Sequence, residues 1–349
     1  MKTACRIFLA ALFLAAPTAS LAQDAREIMI KVDDATNHSF SSSARQLKYS
    51  TCRYQVSGGK LSCAEKPRIV VVESFSKTRT TPGPPGQRDL EFKALDVTIQ
   101  PISDKNTTML SWGYPADKAS DFWIYLPVLS KVKRIVSVAD SGESGAVFGS
   151  ELSTEDADVR KVRDYTYKML GEDTFRDRPV WKIELTPTDS RRKRSYYGRI
   201  VSYVDKERFI ALKEDLYDRT GRHYKQYSAL EVKQFGKVWL VTRAVMNNLT
   251  KRRITNWDHT DVALNVDIDE EFLSQRSLTD FAYRERHIQL YRKYLTQVGG
   301  GKQQEKGNSG ESHRAVTVPA AAAFRPAGVD GYSFCMRERP CPQVRMSFA

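Results

Sequence analysis

Cysteine is scarce in this chain, with five in 349 residues. None of them has CxxC spacing and no histidine clusters beside one, which argues against a zinc site. The five histidines, His38, His223, His259, His287 and His313, form no HExxH motif and no close pair. A metallohydrolase centre of that kind is excluded. The glycines at 142, 145 and 149 are followed by no Lys-Ser or Lys-Thr, so they are not a P-loop. Gly142-Glu143-Ser144-Gly145 opens like a nucleophile elbow, but Ala146 stands where the closing glycine is needed. No cofactor site follows from any motif. Long apolar runs are missing too, apart from one at the start.

That one run is informative. Lys2 and Arg6 precede ten apolar residues, Ile7 to Ala16, and Pro17 ends them. Ser20-Leu21-Ala22 offers the small residues of a signal-peptidase site. The run is about half the ~20 residues that cross a bilayer, so residues 1–22 read as a secretory signal cut after Ala22. The remaining chain is expected in the periplasm, an oxidising compartment without ATP. Cys5 leaves with the signal. Cys52, Cys63, Cys335 and Cys341 remain, an even number suited to disulfides. Four cysteines allow three pairings; the simplest joins Cys52 to Cys63 and Cys335 to Cys341.

Charge is one-sided. The chain carries +13, and loss of Lys2 and Arg6 leaves +11. Such a balance suits a generally basic surface or anionic partners. Lipid headgroups and acidic proteins fit an exported chain, whereas nucleic acid does not. With 41% hydrophobic and 10% aromatic residues, the chain can build a core.

Residues 24–35 read as a short amphipathic helix, with Ile28, Val32 and Ala35 at helical spacing. Strands follow over 47–56 and 68–75, joined by Ser57-Gly58-Gly59-Lys60. Residues 81–86, Thr-Pro-Gly-Pro-Pro-Gly, can only be a loop. From 179 to 262 the pattern is strongly β. Trp181, Ile183 and Leu185 alternate with Lys182 and Glu184, which predicts a sheet with one wet face. Strand candidates over 195–204, 210–217, 223–233, 238–246 and 252–262 have short connections, Asp205-Lys206-Glu207, Asp218-Arg219-Thr220-Gly221 and Phe235-Gly236-Lys237. Such connections join only antiparallel neighbours, so the pattern predicts a long, curled meander. Residues 280–296 read as a helix, packed on the sheet or lying on a membrane surface. Residues 299–314 read as a flexible linker, and residues 315–349 form a tail with no predicted structure.

Three clusters invite a chemical reading. Glu151, Glu155, Asp156 and Asp158 are dense enough to be a solvated acidic segment, and acid–base catalysis would need a pocket around them. Arg191 to Arg194 and Lys251 to Arg253 read as exposed basic turns, or as contacts to anionic headgroups. Phe122-Trp123-Ile124-Tyr125-Leu126 is an unbroken bulky run. Either its strand is covered on both faces, or one face lines an apolar space.

A resemblance begins at those residues. FWIYLPVLSKVKRI, then Phe148 to Leu152, Glu155-Asp156, Asp164 to Glu172, Trp181 to Pro187 and Tyr203 to Glu207 follow in order. Over about residues 24–280 the chain resembles the outer-membrane lipoprotein-sorting proteins, the LolA/LolB-like group often found beside RND-type (MMPL-like) exporters. The resemblance implies a mainly β fold: a half-open, strongly curved antiparallel β-barrel with helices across its concave face, here over 23–298. It also implies a non-enzymatic periplasmic carrier of lipid or lipoprotein acyl chains, with an exporter as possible partner. On that reading Trp112, Trp123, Tyr125, Leu126, Phe148 and Trp181 are expected to line the cavity. Glu151, Glu155 and Asp156 are expected in a lid or a partner contact. The Cys52–Cys63 segment, the Pro/Gly loop and the tail after Gly299 depart from the pattern. An accessory subunit that carries nothing and an exported hydrolase using Ser144 are the competing functions.

Overall fold

The computed structural model describes residues 18–57, 60–115, 118–135 and 146–297. Helix α1 (Thr18–Asn37) opens the fold and runs through the expected cut after Ala22. It is longer than the 24–35 stretch read from periodicity. The strands of the first half are β1 (Ser42–Ser57), β2 (Lys60–Cys63), β3 (Arg68–Thr80), β4 (Leu90–Gln100), β5 (Thr108–Gly113), β6 (Asp121–Leu126) and β7 (Lys131–Ile135). The second half has β8 (Tyr165–Phe175), β9 (Arg178–Pro187), β10 (Tyr197–Asp205), β11 (Ala211–Asp218), β12 (His223–Phe235), β13 (Val238–Asn248), β14 (Arg253–Leu264) and β15 (Thr296–Gln297). Short helices α2 (Thr154–Ala157), α3 (Asp189–Arg192) and α4 (Arg276–Thr279) precede α5 (Phe281–Arg292). Among the described residues, no helix is long and apolar enough to cross a membrane.

All strands join one antiparallel, curved sheet that does not close. Its order is β7-β6-β5-β4-β3-β1-β14-β13-β12-β11-β10-β9-β8, with β2 attached to β1 and β15 to β14. The first strand thus sits mid-sheet, between β3 and β14. β7 and β8 follow one another in the chain yet form opposite edges. The segment between them must therefore cross the sheet.

Alternation along the strands separates two faces. On one face, Ala44, Phe75, Leu95, Leu110, Trp123 and Tyr125 pack with Phe272, Leu273, Leu278, Tyr283, Ile288 and Tyr291 from α4, α5 and the turn before them. On the other, α1 lays Ala25 and Ile28 over Ile183, Leu185, Ile200 and Leu216, with Met29 and Val32 beside them. Those four helical residues lie at i, i+3, i+4 and i+7, one apolar stripe. Each large side chain so buried contributes roughly 1.5–3 kcal/mol. Trp181 shares this cluster with Ile183 and Leu185, the face that alternation assigned them.

The Phe122–Leu126 run is covered on both faces. Trp123 and Tyr125 meet the C-terminal helices, while Phe122 is buried on the opposite side. Cys52 and Cys63 form a disulfide between β1 and β2. Cys335 and Cys341, the linker 299–314 and the tail 315–349 lie outside the described residues, as do residues 1–17 and Ser144. The Pro/Gly loop packs against α1. Gly86 has φ +76°, and a Cβ there would lie 2.5 Å from Ile30 Cδ1. Arg88 from the same loop pairs with Asp34 of α1.

Candidate functional site

The crossing segment, described from Ala146 to Asp164, spans the α1 face as a strap. A capping box starts α2: the Asp156 N–H donates to Ser153 Oγ at 3.2 Å, and the Ser153 N–H donates back to Asp156 Oδ2 at 2.8 Å. Three carboxylates bind the strap to the sheet. Glu151 accepts from Asn248 Nδ2 at 2.8 Å and from Arg253 Nε. Glu155 accepts from Arg191 Nη2 at 3.2 Å, from the Tyr196 N–H at 2.8 Å and from Ser195 Oγ. Asp156 accepts from Lys225 Nζ at 2.9 Å and from the Tyr197 hydroxyl at 2.6 Å.

This arrangement corrects two expectations. Glu151, Glu155 and Asp156 are not a solvated run; all three side chains are buried. The basic turns are not wholly exposed either. Arg191 is buried against Glu155, and Arg253 reaches Glu151. Acidic and basic clusters that look separate in sequence are partners across the sheet.

Between strap, α1 and sheet lie two adjoining chambers. The first, about 340 Å³, is lined by Met29 and Val32 of α1, by Leu152 and Val162 of the strap, and by Tyr165, Leu185, Met246 and Trp257 of the sheet. Arg160 of the strap closes one wall by pairing with Glu214 at 2.6 Å. The second chamber, about 410 Å³, lies over β1, β3, β4 and β13. Thr36, Asn37, Val159, Ile210, Tyr227 and Val241 line both. Each chamber falls within the ~300–1,000 Å³ of small-molecule sites.

The second chamber is the more polar. Ser43, Arg45, Ser74, Ser76, Thr78 and His259 lie in its wall beside Phe40, Leu90, Phe92 and Trp239. Burial pulls Arg45 down to about 10, so it stays charged at neutral pH. Burial, with Arg45 close by, pulls His259 down to about 3, so its ring is neutral.

The six residues expected to line a cavity fall elsewhere. Trp112, Trp123 and Tyr125 belong to the opposite face, under the C-terminal helices. There Trp112 Nε1 donates to the Leu273 carbonyl at 2.9 Å. Leu126 is half-buried at the end of β6. Phe148 lies in the strap with its ring 6.3 Å from that of Tyr49. Trp181 is on the α1 face and stacks on Phe209 at 5.8 Å. None of the six lines either chamber. The residues that do, such as Tyr227, Trp257 and Arg45, sit on strands that were legible; which face the strap would cover was not.

Among the described residues, one group has metal-ligand spacing, Asp33, Asp34 and His38. Its atoms are engaged already: Asp33 accepts from Asn37 at 2.7 Å and lies 3.2 Å from His38, and Asp34 pairs with Arg88.

A family model described as "-like: Uncharacterized protein" matches residues 91–280, more than half of the chain. The chain belongs to that family. No curated protein matches it. Among solved structures, an outer membrane lipoprotein-sorting protein domain from Vibrio parahaemolyticus is 24% identical with a TM-score of 0.62, covering 74% of this chain and 99% of that one. A DUF1329 family protein from Desulfovibrio piger is 23% identical with a TM-score of 0.63, over 74% and 99% of the two chains. A LolA superfamily protein from Nitrosomonas europaea is 17% identical with a TM-score of 0.52, over 72% and 98%. The family member described here thus has the LolA-like fold, the resemblance first met in its ordered motifs.

Proposed function

We propose that the protein is an exported, non-enzymatic carrier that shelters lipid or lipoprotein acyl chains from water in the periplasm. One observation carries this reading: the two adjoining chambers between the sheet, α1 and the strap. A hydrocarbon tail held there gains about 0.8 kcal/mol for each methylene removed from water. Carriage needs no covalent step, only a difference in affinity between donor and acceptor. The LolA-like fold supports the reading by analogy of architecture alone.

A carrier must touch a membrane. The β4–β5 and β6–β7 turns lie at one end of the sheet and leave Ile102 90% and Val128 86% exposed, with Leu129 beside them. Such side chains give water nothing in return. The exposed Lys131 and Lys133 flank them. Apolar tips ringed by lysine suit the interface of an anionic bilayer. The same tip suits the alternative, an accessory subunit docked on an RND-type exporter that carries nothing.

Mass spectrometry of small molecules extracted from natively purified protein tests the proposal. Near-stoichiometric phospholipid or acyl chains are expected, and their identity names the cargo. Protein that emerges empty, and also binds no lipid added afterwards, overturns the carrier reading.

A further inference from the structure

Among the described residues, the cation in the wall of the second chamber has no ion-pair contact. Arg45 lies on β1, where it faces the hollow beside Ser43. Among the described residues it has no ion pair within 4.0 Å, and its Nε has no hydrogen-bond partner. The guanidinium lies over the Phe40 ring, 5.2 Å from its centroid. His259, on β14, is 7% exposed, lines the same chamber, and has a buried Nδ1 without a partner. Two unanswered polar groups therefore share one wall. Ser43 and Ser76 lie in that wall too, their hydroxyls 2.8 Å apart.

An unpaired guanidinium in a protein wall is costly. Asp96 is the nearest balancing charge. The register places it two strands away on the same face, in the row Arg45–Ser74–Asp96. It takes a hydrogen bond from Ser74, and burial pushes it up to about 6. Tyr49 is the other titratable group that acts on Arg45. At neutral pH Asp96 is ionised and offsets part of the charge from beyond Ser74, but it makes no ion pair with the guanidinium, which lines the chamber.

We propose that Arg45 receives the acidic head, carboxylate or phosphate, of an amphiphile whose hydrocarbon tail occupies the neighbouring chamber. The inference rests on the carrier reading and adds the ligand's class and orientation to it. The guanidinium can bind an oxyanion with paired N–H donors. The neutral His259 ring can present an N–H beside it. Beyond the shared residues Val159, Ile210 and Val241 lies the first chamber, where Met29, Val32, Leu152, Leu185 and Met246 suit a tail and the one guanidinium in its lining, Arg160, is already paired with Glu214.

The test is calorimetric titration of the full chain, stripped of endogenous lipid, with three probes: oleate, oleyl alcohol and inorganic phosphate. Oleate is expected to bind about ten- to a hundredfold more tightly than oleyl alcohol, the worth of a hydrogen bond to a charged group. Phosphate alone is expected to bind far more weakly than oleate. Arg45→Met should erase the preference, bringing oleate to within about twofold of oleyl alcohol in the same variant, while Arg45→Lys keeps part of it. Arg45→Met leaves the buried Asp96 carboxyl without its nearest cation, so the variant's fold is checked first by circular dichroism. Should Arg45→Met fail to fold, the unaltered protein still decides: oleate, but not oleyl alcohol, should shift the His259 ring resonances. Equal affinities for oleate and oleyl alcohol would overturn the head-group site and leave the carrier reading intact. So would an Arg45→Met protein that keeps the preference. Phosphate binding as tightly as oleate would make this a free-anion site and also overturn the proposal. Binding of neither oleyl compound would sink both readings.

Discussion

Lys225 is wholly buried, and its ammonium lies 2.9 Å from Asp156. A buried pair is costly to break from one side, because the surviving charge is left without a partner. Lys225→Met keeps the side chain's length and apolar stem. It should destabilise the protein by about 3–5 kcal/mol in urea unfolding. A loss under about 1 kcal/mol would mean that Tyr197 and Ser153 satisfy Asp156 alone. The neighbouring carboxylates respond to pH with opposite sign. Burial raises the Glu155 carboxyl above 4.5, against the pull of Arg191. The folded state then binds this proton more readily than the unfolded chain. The resulting stability is complete below pH 4.5 and is lost as pH rises through the folded value. Burial also pushes Asp156 upward, but Lys225, the Ser153 N–H and the Tyr197 hydroxyl outweigh it and hold the carboxyl below 3.8. Its contribution is present above pH 3.8 and lost as pH falls through the lower folded value. Urea unfolding of the native protein and of Glu155→Gln, at several pH values from neutrality to pH 4.5, isolates the first group. The native protein should gain stability relative to the variant as pH falls. Parallel curves would show that Glu155 titrates as it does in the unfolded chain.

At the scale of elements, the sheet manages its edges by charge. β7 exposes Lys131, Lys133 and Arg134 along an edge where no further strand pairs among the described residues, a pattern that discourages pairing with another chain. The same lysines flank the apolar turn proposed to touch membrane. Ile102→Ser with Val128→Ser should lower binding to vesicles of anionic phospholipid by tenfold or more, since each loses roughly a side chain's worth of burial. Lys131→Ser with Lys133→Ser should reduce only the salt-sensitive part, at about 1 kcal/mol per charge near the surface. Co-sedimentation with anionic and zwitterionic vesicles measures both. Unchanged binding in the first variant removes this tip from the membrane contact. Much of this level was readable beforehand. Alternation in Trp181–Leu185 and the three- and four-residue turns gave the β9–β14 meander, with ends shifted by a few residues. β4, β5 and β8 were less legible. Lys93, Asp96, Ser111, Lys168 and Glu172 interrupt them, and charge within a strand resembles a loop until its partner is known. The acidic strap was least legible, because its partners Arg191, Lys225 and Arg253 lie 36 to 102 residues further on. Likewise, the bulky run Phe122–Leu126 left open whether its strand is covered on both faces or lines a space, and only the packing of Phe272 and Tyr291 shows which layer covers Trp123 and Tyr125.

At the scale of the whole molecule, topology makes the hollow. A meander from β8 to β14 and another from β3 to β7 are joined at the centre by β1. The chain must then return from the β7 edge to the β8 edge over one face, and α1 already lies there. Strap and helix bridge a curved surface that they do not fill, and the chambers are what remains. The strap is pinned at Glu151, Glu155 and Asp156, whereas Val159, between those pins and β8, lies over both chambers. Val159→Trp should therefore fill the space where the two chambers adjoin while leaving every strand residue unaltered. The expected result is loss of oleyl alcohol binding by at least tenfold with an unchanged circular dichroism spectrum. In the native protein, saturating ligand should raise stability by mass action, about 2.7 kcal/mol at a hundred times Kd. Thermal unfolding with and without oleyl alcohol measures this gain, and in Val159→Trp it should vanish. If the variant is still stabilised as strongly as the native protein, the tail lies somewhere other than beneath the strap, and the hollow's role would have to be abandoned while the fold stood unaltered.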